Sequence, residues 1–177
     1  MQYVSSAFTP LGEVLLASDG ETLTGLWFRG QKYFARTLDT AFEERRLPVF
    51  ERTQKWLDCY FSGRGPDFSL TLNPAGTEFQ KRVWRVLLTI PYGETMTYGA
   101  IAKRIAAERS LAHLSAQAVG GAVGRNPVSI IIPCHRVVGA DGSLTGYAGG
   151  IDRKQKLLEL EQNGKGSAHF PENGMSP

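Results

Sequence analysis

The chain has only two cysteines among its 177 residues, Cys59 and Cys134, and they lie far apart in the sequence. Two separated thiols favour a reducing compartment over a disulfide scaffold, so we expect a cytoplasmic protein. Two cysteines cannot form a structural zinc site alone, and the three histidines show no metal-ligand spacing, so we expect no metal site. We also expect no other cofactor. No stretch approaches the ~20 apolar residues that span a bilayer, so we expect no membrane partner.

Charge is unevenly distributed along the chain, although the net charge is only +3. Residues 1–75 carry 8 Lys/Arg against 9 Asp/Glu, whereas residues 76–165 carry 12 against 7. The basic second part is consistent with a polyanionic partner such as nucleic acid, and a solvated basic face is the alternative. The length suffices to bury a core in one compact unit or in two small domains.

The first 75 residues combine short β-prone runs with one helix. The runs are residues 3–8, 13–17 and 23–28. Turn residues separate them, which predicts an antiparallel meander. The apolar pattern of residues 50–61 predicts an amphipathic helix that ends near Gly63. We interpret residues 1–75 as a scaffold domain in which Cys59 is an ordinary helix residue.

Residues 76–165 contain helices with clear start signals. Thr77 opens a capping box, and Thr97 and Ser115 are suited to cap two further helices, the last of which ends before Asn126. Two short helices joined by a turn predict a helix-turn-helix or winged-helix module. The remaining residues, 166–177, are rich in Gly, Ser, Pro and Asn and predict a disordered tail.

The helix after Ser115 is nearly bare of bulky side chains. Its small residues are Ala116, Ala118, Gly120, Gly121, Ala122 and Gly124. Glycine inside a helix costs about 1 kcal/mol relative to alanine, so the pattern needs a reason. Close packing inside the protein and close approach to a DNA groove explain it equally well.

The sequence Pro-Cys-His-Arg at residues 133–136 has the clearest chemistry. The β-branched run at 129–132 predicts a buried strand or extended segment, which Pro133 ends. Cysteine attacks as the thiolate, and a neighbouring imidazole can generate thiolate near neutral pH. A buried structural cysteine beside a chance histidine is the alternative. The glycine-dense stretch 142–150 favours a functional Cys134, because it lets backbone approach a ligand closely.

A carboxylate partner for His135 is predicted on the helix at residues 152–161. There Glu161 shares one face with the leucines at 157–158. A carboxylate on an apolar face is costly unless it has a partner, whereas Glu159 lies on the opposite side and stays in water. Glu161 is therefore the acid best placed to orient His135.

These segments together resemble the signature of the O6-alkylguanine-DNA alkyltransferases. The match is continuous over about residues 76–161 and looser over residues 1–75. The matching segments are residues 9–12, 56–61, 76–84, 90–94, 98, 130–139, 146–150 and 154–161.

The resemblance implies an α+β fold, with an RNase H-like antiparallel-sheet domain at residues 1–75 and a mainly helical winged-helix domain at 76–165. It implies a DNA-repair enzyme, a methylated-DNA–protein-cysteine S-methyltransferase. This enzyme transfers the alkyl group of O6-alkylguanine in double-stranded DNA onto its own cysteine, with O4-alkylthymine a second candidate lesion. No second thiol stands near in sequence to regenerate the cysteine, so each molecule acts once. We expect a monomer.

The resemblance also implies the roles of the catalytic residues. Cys134 is the nucleophile, and His135 is the base that reaches the thiol through a bound water, because adjacent residues seldom face each other. Glu161 holds the His135 tautomer and stabilises the imidazolium. Asn126 ties its turn to the active-site segment.

A second group of residues is implied to contact the substrate or the DNA. It consists of Tyr98, Gln117, Arg125, Val137, Ala148 and Lys154. Tyr98 hydrogen-bonds the extruded base, carbonyls of Cys134 and Val137 and the amide of Ala148 read the guanine edge, and Lys154 supports the loop. Arg136 is interpreted as structural or phosphate-facing.

Two positions depart from the family pattern. Gln117 stands where the family usually has an arginine finger, on the bare helix that the resemblance places in the minor groove. Ala148 stands where many members have serine, which removes a hydroxyl but keeps the backbone donor.

Two other functions compete with this interpretation. A cysteine hydrolase or acyltransferase would use the same Cys-His-Glu triad, but it needs an oxyanion hole and turnover. A non-catalytic alkyl-lesion-binding protein would lack the reactive cysteine, and Cys134 argues against it.

Overall fold

The computed structural model describes residues 1–64, 66–164 and 173–176. The strands are β1 (Gln2–Thr9), β2 (Gly12–Ser18), β3 (Leu23–Phe28), β4 (Phe42–Glu44), β5 (Thr71–Leu72), β6 (Met96–Thr97), β7 (Val137–Val138) and β8 (Gly174–Met175). The helices are α1 (Pro48–Phe61), α2 (Glu78–Leu88), α3 (Tyr98–Glu108), α4 (Ala116–Gly124) and α5 (Ile151–Gly164), and a 3-10 turn spans Cys134–Arg136.

The N-terminal part is a six-stranded sheet with the order β4-β1-β2-β3-β5-β8. Strands β1 to β3 form the predicted antiparallel meander, in which Val14 pairs with Ala7 on one side and Phe28 on the other. The sequence did not predict β4, β5 and β8. In the structure β4 pairs in parallel with β1, β5 with β3, and β8 with β5. All six residues of β3 are buried, so both faces of the sheet are covered at its centre.

The predicted caps begin the helices of the second part. The Thr77 side chain and Gln80 form the capping box of α2, and Thr97 and Ser115 each accept a hydrogen bond from the backbone in the first turn of α3 and α4. Helices α3 and α4 form the predicted helix-turn-helix and pack against each other and against α2. Within the part of the chain that the structure describes, no helix is long and apolar enough to cross a bilayer.

One hydrophobic core runs through both parts of the chain. It joins side chains of the sheet and of α1, such as Leu26 and Tyr60, to side chains of the helical part, such as Trp84 and Ile101. The segment that leads to the Pro-Cys-His-Arg sequence lies in this core, so it is held from both parts.

The prediction of a strand or extended segment at residues 129–132 is wrong. The residues are buried as expected, but they form turns in which Ile130 has a φ of +69°. The reason is Asn126, whose side chain donates to the carbonyls of Val128 and Ile132 and accepts from the Val128 amide. These bonds satisfy backbone groups that a ladder would otherwise use.

The predicted disordered tail, 166–177, is described only in part. Residues 166–172 and 177 lie outside the described residues. Disorder does not hold for residues 173–176, where the Asn173 side chain accepts from the Leu70 amide and the Ser176 amide donates to Leu72. These contacts place β8 beside β5. A strand of two residues is too short to show an alternating pattern in the sequence, so β8 could not be predicted.

Candidate active site

Cys134 lies at the start of the 3-10 turn, directly after Pro133. Its side chain is buried, with 5% of its surface exposed, and it lines a cavity of about 330 Å³. The other walls include Lys32, Tyr33, Tyr98, Arg125, Tyr147 and Ala148. Asn126 holds the chain just before Cys134 through its bond to the Ile132 carbonyl, so the predicted tie between this turn and the cysteine segment is present.

His135 is fully buried beside Cys134 and contacts Glu161. Its Nε2 atom lies 3.0 Å from Oε1 of Glu161, so the predicted pairing is present in the structure. Its Nδ1 atom has no hydrogen-bond partner among the described residues. Because Nε2 is occupied by the carboxylate, Nδ1 is the nitrogen available to exchange a proton with another group.

Glu161 also binds Arg136, a pairing that the sequence did not reveal. Arg136 Nη2 lies 2.6 Å from Oε1, and its Nε lies 3.0 and 3.1 Å from the two carboxylate oxygens. The same guanidinium donates through Nη1 to the Ile90 carbonyl at 2.7 Å. Of the two expected roles for Arg136, the structural one matches this partly buried position, in which Nε, Nη1 and Nη2 all donate to protein acceptors.

Burial determines the resting charges of the three central groups. Burial raises the pKa of the Cys134 thiol, although Asn126 and Lys154 oppose the rise. Burial lowers the pKa of His135, and the Glu161 carboxylate opposes that change. Burial would raise the pKa of Glu161, but the neighbouring His135 and Arg136 bring it down to about 2. At neutral pH the site therefore holds a thiol, a neutral imidazole and a carboxylate.

Lys154 holds the glycine-rich loop against the cavity. Its Nζ atom is buried and donates to the carbonyls of Val137, Thr145 and Gly146. Tyr98, which is half-buried, donates to the Thr145 carbonyl at 3.0 Å. Lys154 thus makes the contacts expected of a residue that supports this loop. The Val137 carbonyl already accepts one hydrogen bond from Lys154.

Ala148 joins the loop to the N-terminal part, because its carbonyl accepts from the Lys32 amide at 3.1 Å. Both Lys32 and Tyr33 line the cavity, and neither was predicted. Tyr33 has a φ of +59°, and its ring lies 5.1 Å from the guanidinium carbon of Arg125. A left-handed tyrosine beside a cavity is a backbone feature that sequence pattern does not reveal.

The outer face of α4 is open, and its glycines are not required by internal packing. Among the residues that the structure describes, a Cβ atom at Gly120 or Gly121 would meet nothing closer than 3.7 Å, and one at Gly124 would meet nothing within 4 Å. For these three glycines the open face favours close approach by an external partner over close internal packing. Gln117 is exposed on this face, and Arg125 is exposed at the C-terminal end of the helix.

Tyr60 is a further residue that sequence reasoning missed. It comes from α1 and donates its hydroxyl to Oε1 of Glu161 at 2.9 Å. Its position in the matching segment 56–61 was the available signal, but nothing there indicated which way the ring points. Cys59, its neighbour, is partly buried on α1 and is not among the residues that line the cavity.

Two family models match the chain. Residues 3–74 match the model described as 6-O-methylguanine DNA methyltransferase, ribonuclease-like domain, and residues 78–163 match its DNA binding domain.

Individual relatives are similar over most of their length. A methylated-DNA–protein-cysteine methyltransferase of Mycobacterium leprae is 45% identical over 163 residues, which cover 92% of this chain and 94% of the relative. A protein of the same name from Methanosarcina acetivorans is 46% identical over 153 residues, 86% of this chain and 94% of the relative. The crystal structure of Mycobacterium tuberculosis OGT in complex with DNA aligns with a TM-score of 0.80 at 45% identity, covering 92% of this chain and 94% of that one.

Proposed function

The chain belongs to the 6-O-methylguanine DNA methyltransferase family, and we propose that Cys134 is the residue on which it takes up the alkyl group. The protein is a methylated-DNA–protein-cysteine methyltransferase that repairs DNA by direct transfer of a methyl group from O6-methylguanine to itself. The observation that supports Cys134 is its place on a cavity wall beside the buried His135–Glu161 pair. Cys59 has neither feature.

The reaction begins from the neutral thiol. The Cys134 proton passes through a bound water to Nδ1 of His135, and Glu161 stabilises the imidazolium that forms. The thiolate sulfur attacks the alkyl carbon, an S–C bond forms, and the C–O6 bond breaks with its electron pair moving into the guanine ring. Guanine N1 takes up one proton from water, and the imidazolium releases to water the proton that it took from the thiol, so the normal base and the neutral imidazole are both restored. The products are a thioether at Cys134 and repaired DNA, so atoms and charge balance without a cofactor.

Access to the alkyl group requires the base to leave the helix, because the Cys134 thiol is buried on the wall of a cavity and cannot reach an atom of a stacked, paired base. The open face of α4 supports its placement in the minor groove, where Gln117 would fill the space left by the base. Arg125 lies between this face and the cavity and would contact the strand that carries the extruded nucleotide. The positive excess of residues 76–165 suits phosphate contacts.

The cavity would hold the extruded base. Tyr98 would donate to it once released from the Thr145 carbonyl, and the carbonyls of Cys134 and Val137 and the amide of Ala148 would read its edge. Lys154 keeps this loop in place. O4-alkylthymine as a second lesion, action as a monomer and a cytoplasmic location are further parts of this proposal.

The resting charges of the site disfavour a hydrolase. A cysteine hydrolase uses a low-pKa thiolate that is ready before the substrate arrives. Here burial raises the pKa of Cys134 and lowers that of His135, so the ion pair is not the resting state.

The experiment is intact-mass analysis after incubation with duplex DNA that contains one O6-methylguanine. We expect one added methyl group on the wild type, located on the peptide that contains Cys134. The variant Cys59→Ser should gain the same mass and Cys134→Ser should gain none. Methylation of Cys134→Ser would assign the acceptor to another residue.

A further inference from the structure

Tyr60 brings a hydroxyl group from the N-terminal part to the buried His135–Glu161 pair. Its Oη atom lies 2.9 Å from Oε1 of Glu161 and 3.5 Å from Nε2 of His135, and only 1% of the residue is exposed. Burial, and then the Glu161 carboxylate, raise the pKa of Tyr60 well above its ordinary value. The phenol therefore stays protonated and acts as a permanent donor to the carboxylate.

Aromatic neighbours fix the orientation of this hydroxyl. The Trp56 ring stacks on Tyr60 with centroids 5.3 Å apart and planes 9° apart. Phe61 and Tyr92 pack edge-on, with centroids at 5.1 and 6.0 Å. A ring held on several sides keeps its hydroxyl in one place, so the bond to Glu161 is part of the rigid structure.

Oε1 of Glu161 accepts from several donors at once. Besides His135 at 3.0 Å and Tyr60 at 2.9 Å, it accepts from Nε and Nη2 of Arg136 at 3.0 and 2.6 Å. Each donor takes up part of the negative charge that would otherwise stabilise a protonated His135. The Tyr60 hydroxyl thus competes with the imidazolium for the same oxygen.

We propose that Tyr60 is a positioning residue for methyl transfer, which sets the basicity of His135 by sharing Oε1 of Glu161. The proposal rests on the function given above. It makes the N-terminal part a contributor to the chemistry of the cysteine site, through a residue of α1 that does not touch the substrate.

Other charged or titratable groups also face His135. They are Glu161 and Lys154 of α5, Arg136 and Cys134 of the 3-10 turn, Tyr60 of α1, and Tyr92, which packs on Tyr60 and faces the Arg136 guanidinium at 5.8 Å. All except Tyr60 are unchanged in Tyr60→Phe, which removes one oxygen and keeps the ring that Trp56 stacks on.

The test is the pH dependence of single-turnover methyl transfer to Cys134. The rate falls at acidic pH as His135 becomes protonated and can no longer take the thiol proton. In Tyr60→Phe the carboxylate has one donor fewer, so it stabilises the imidazolium better and the pKa of His135 rises. We expect the acidic limb to move to higher pH by about half a unit to one unit, which lowers the rate about three- to tenfold below the limb. At high pH the two rates should converge.

Thr53→Val is the matched control. Thr53 is fully buried seven residues before Tyr60 on α1. Its hydroxyl donates to the Val49 carbonyl, whereas that of Tyr60 donates to Glu161. It should leave the acidic limb where the wild type has it. If Tyr60→Phe slows transfer equally at every pH, or if Thr53→Val moves the limb as well, the proposal is overturned.

A second variant tests the proposal independently if Tyr60→Phe does not fold. Replacing Tyr60 with 3-fluorotyrosine strengthens the hydroxyl donor, so the limb should move to lower pH, opposite to the phenylalanine variant. A shift in the same direction, or none, would overturn the proposal. Wild-type protein that puts no methyl on Cys134 in this assay would instead contradict the proposed function, so the two failures are distinguishable.

Discussion

Replacing Glu161 with glutamine removes a charge on which both stability and chemistry depend. In the structure the carboxylate is fully buried and the Arg136 side chain is 12% exposed, with their closest atoms 2.6 Å apart. Removing one partner of a buried ion pair costs about 3–5 kcal/mol, because the other charge stays buried without compensation. For a chain of this size that loss lowers Tm by about 6–20 °C. The slight exposure of Arg136 favours the lower part of this range.

A second change, Arg136→Met on the Glu161→Gln background, separates the contribution of Glu161 to stability from its contribution to methyl transfer. It removes the orphaned guanidinium, and a buried pair replaced by apolar groups is often neutral in stability. The Ile90 carbonyl then loses its donor, which costs about 1–3 kcal/mol. We expect the double variant to lie within about 1–3 kcal/mol of the wild type. Transfer should remain slower by on the order of 100-fold in both variants, because His135 has no carboxylate in either.

Urea unfolding and single-turnover transfer measure the two quantities on the same samples. DNA binding should change little, because neither residue lies on the outer face of α4. A double variant as unstable as Glu161→Gln alone would show that the orphaned Arg136 is not the cause of the instability. A double variant with wild-type transfer would remove Glu161 from the mechanism.

Gln117→Arg should tighten duplex binding and steepen its salt dependence by at most about one unit of slope; an unchanged slope in anisotropy titrations would place residue 117 away from phosphate. Gln117→Gly should slow repair of duplex DNA but leave attack on free O6-benzylguanine nearly unchanged, since a free base needs no extrusion. Equal slowing of both would assign Gln117 to the pocket. Lys154→Met should cost about 1–3 kcal/mol in unfolding free energy, because buried carbonyls lose their donor. The exposed Lys156→Met is its control, and equal losses would contradict the role of Lys154.

Features with local causes could be predicted from the sequence. A cap acts on the next three residues, so Thr77, Thr97 and Ser115 place the starts of α2, α3 and α4. The helical period places Glu161 on the buried face of α5. Its pairing with His135 follows because a buried carboxylate needs a partner.

Features that depend on distant parts of the chain could not be predicted. The turns at 129–132 depend on bonds made by the Asn126 side chain, while the β-branched composition alone favours a strand. Tyr60 reaches the site because the N-terminal part shares a core with the helical part, and Tyr33 reaches it because its ring packs on Arg125. Neither the period of α1 nor the composition of the loop before β4 records that packing.

The most direct test of the central claim is the number of guanines that one protein molecule restores. A fixed amount of protein is incubated with a large excess of duplex containing O6-methylguanine, and restored guanine is counted by digestion and mass spectrometry. If Cys134 is the acceptor and its thioether is not reversed, restored guanine stops at one equivalent per protein, and the methylated peptide accounts for all of it. Restoration that continues past one equivalent with Cys134 unmodified would contradict direct transfer to this cysteine.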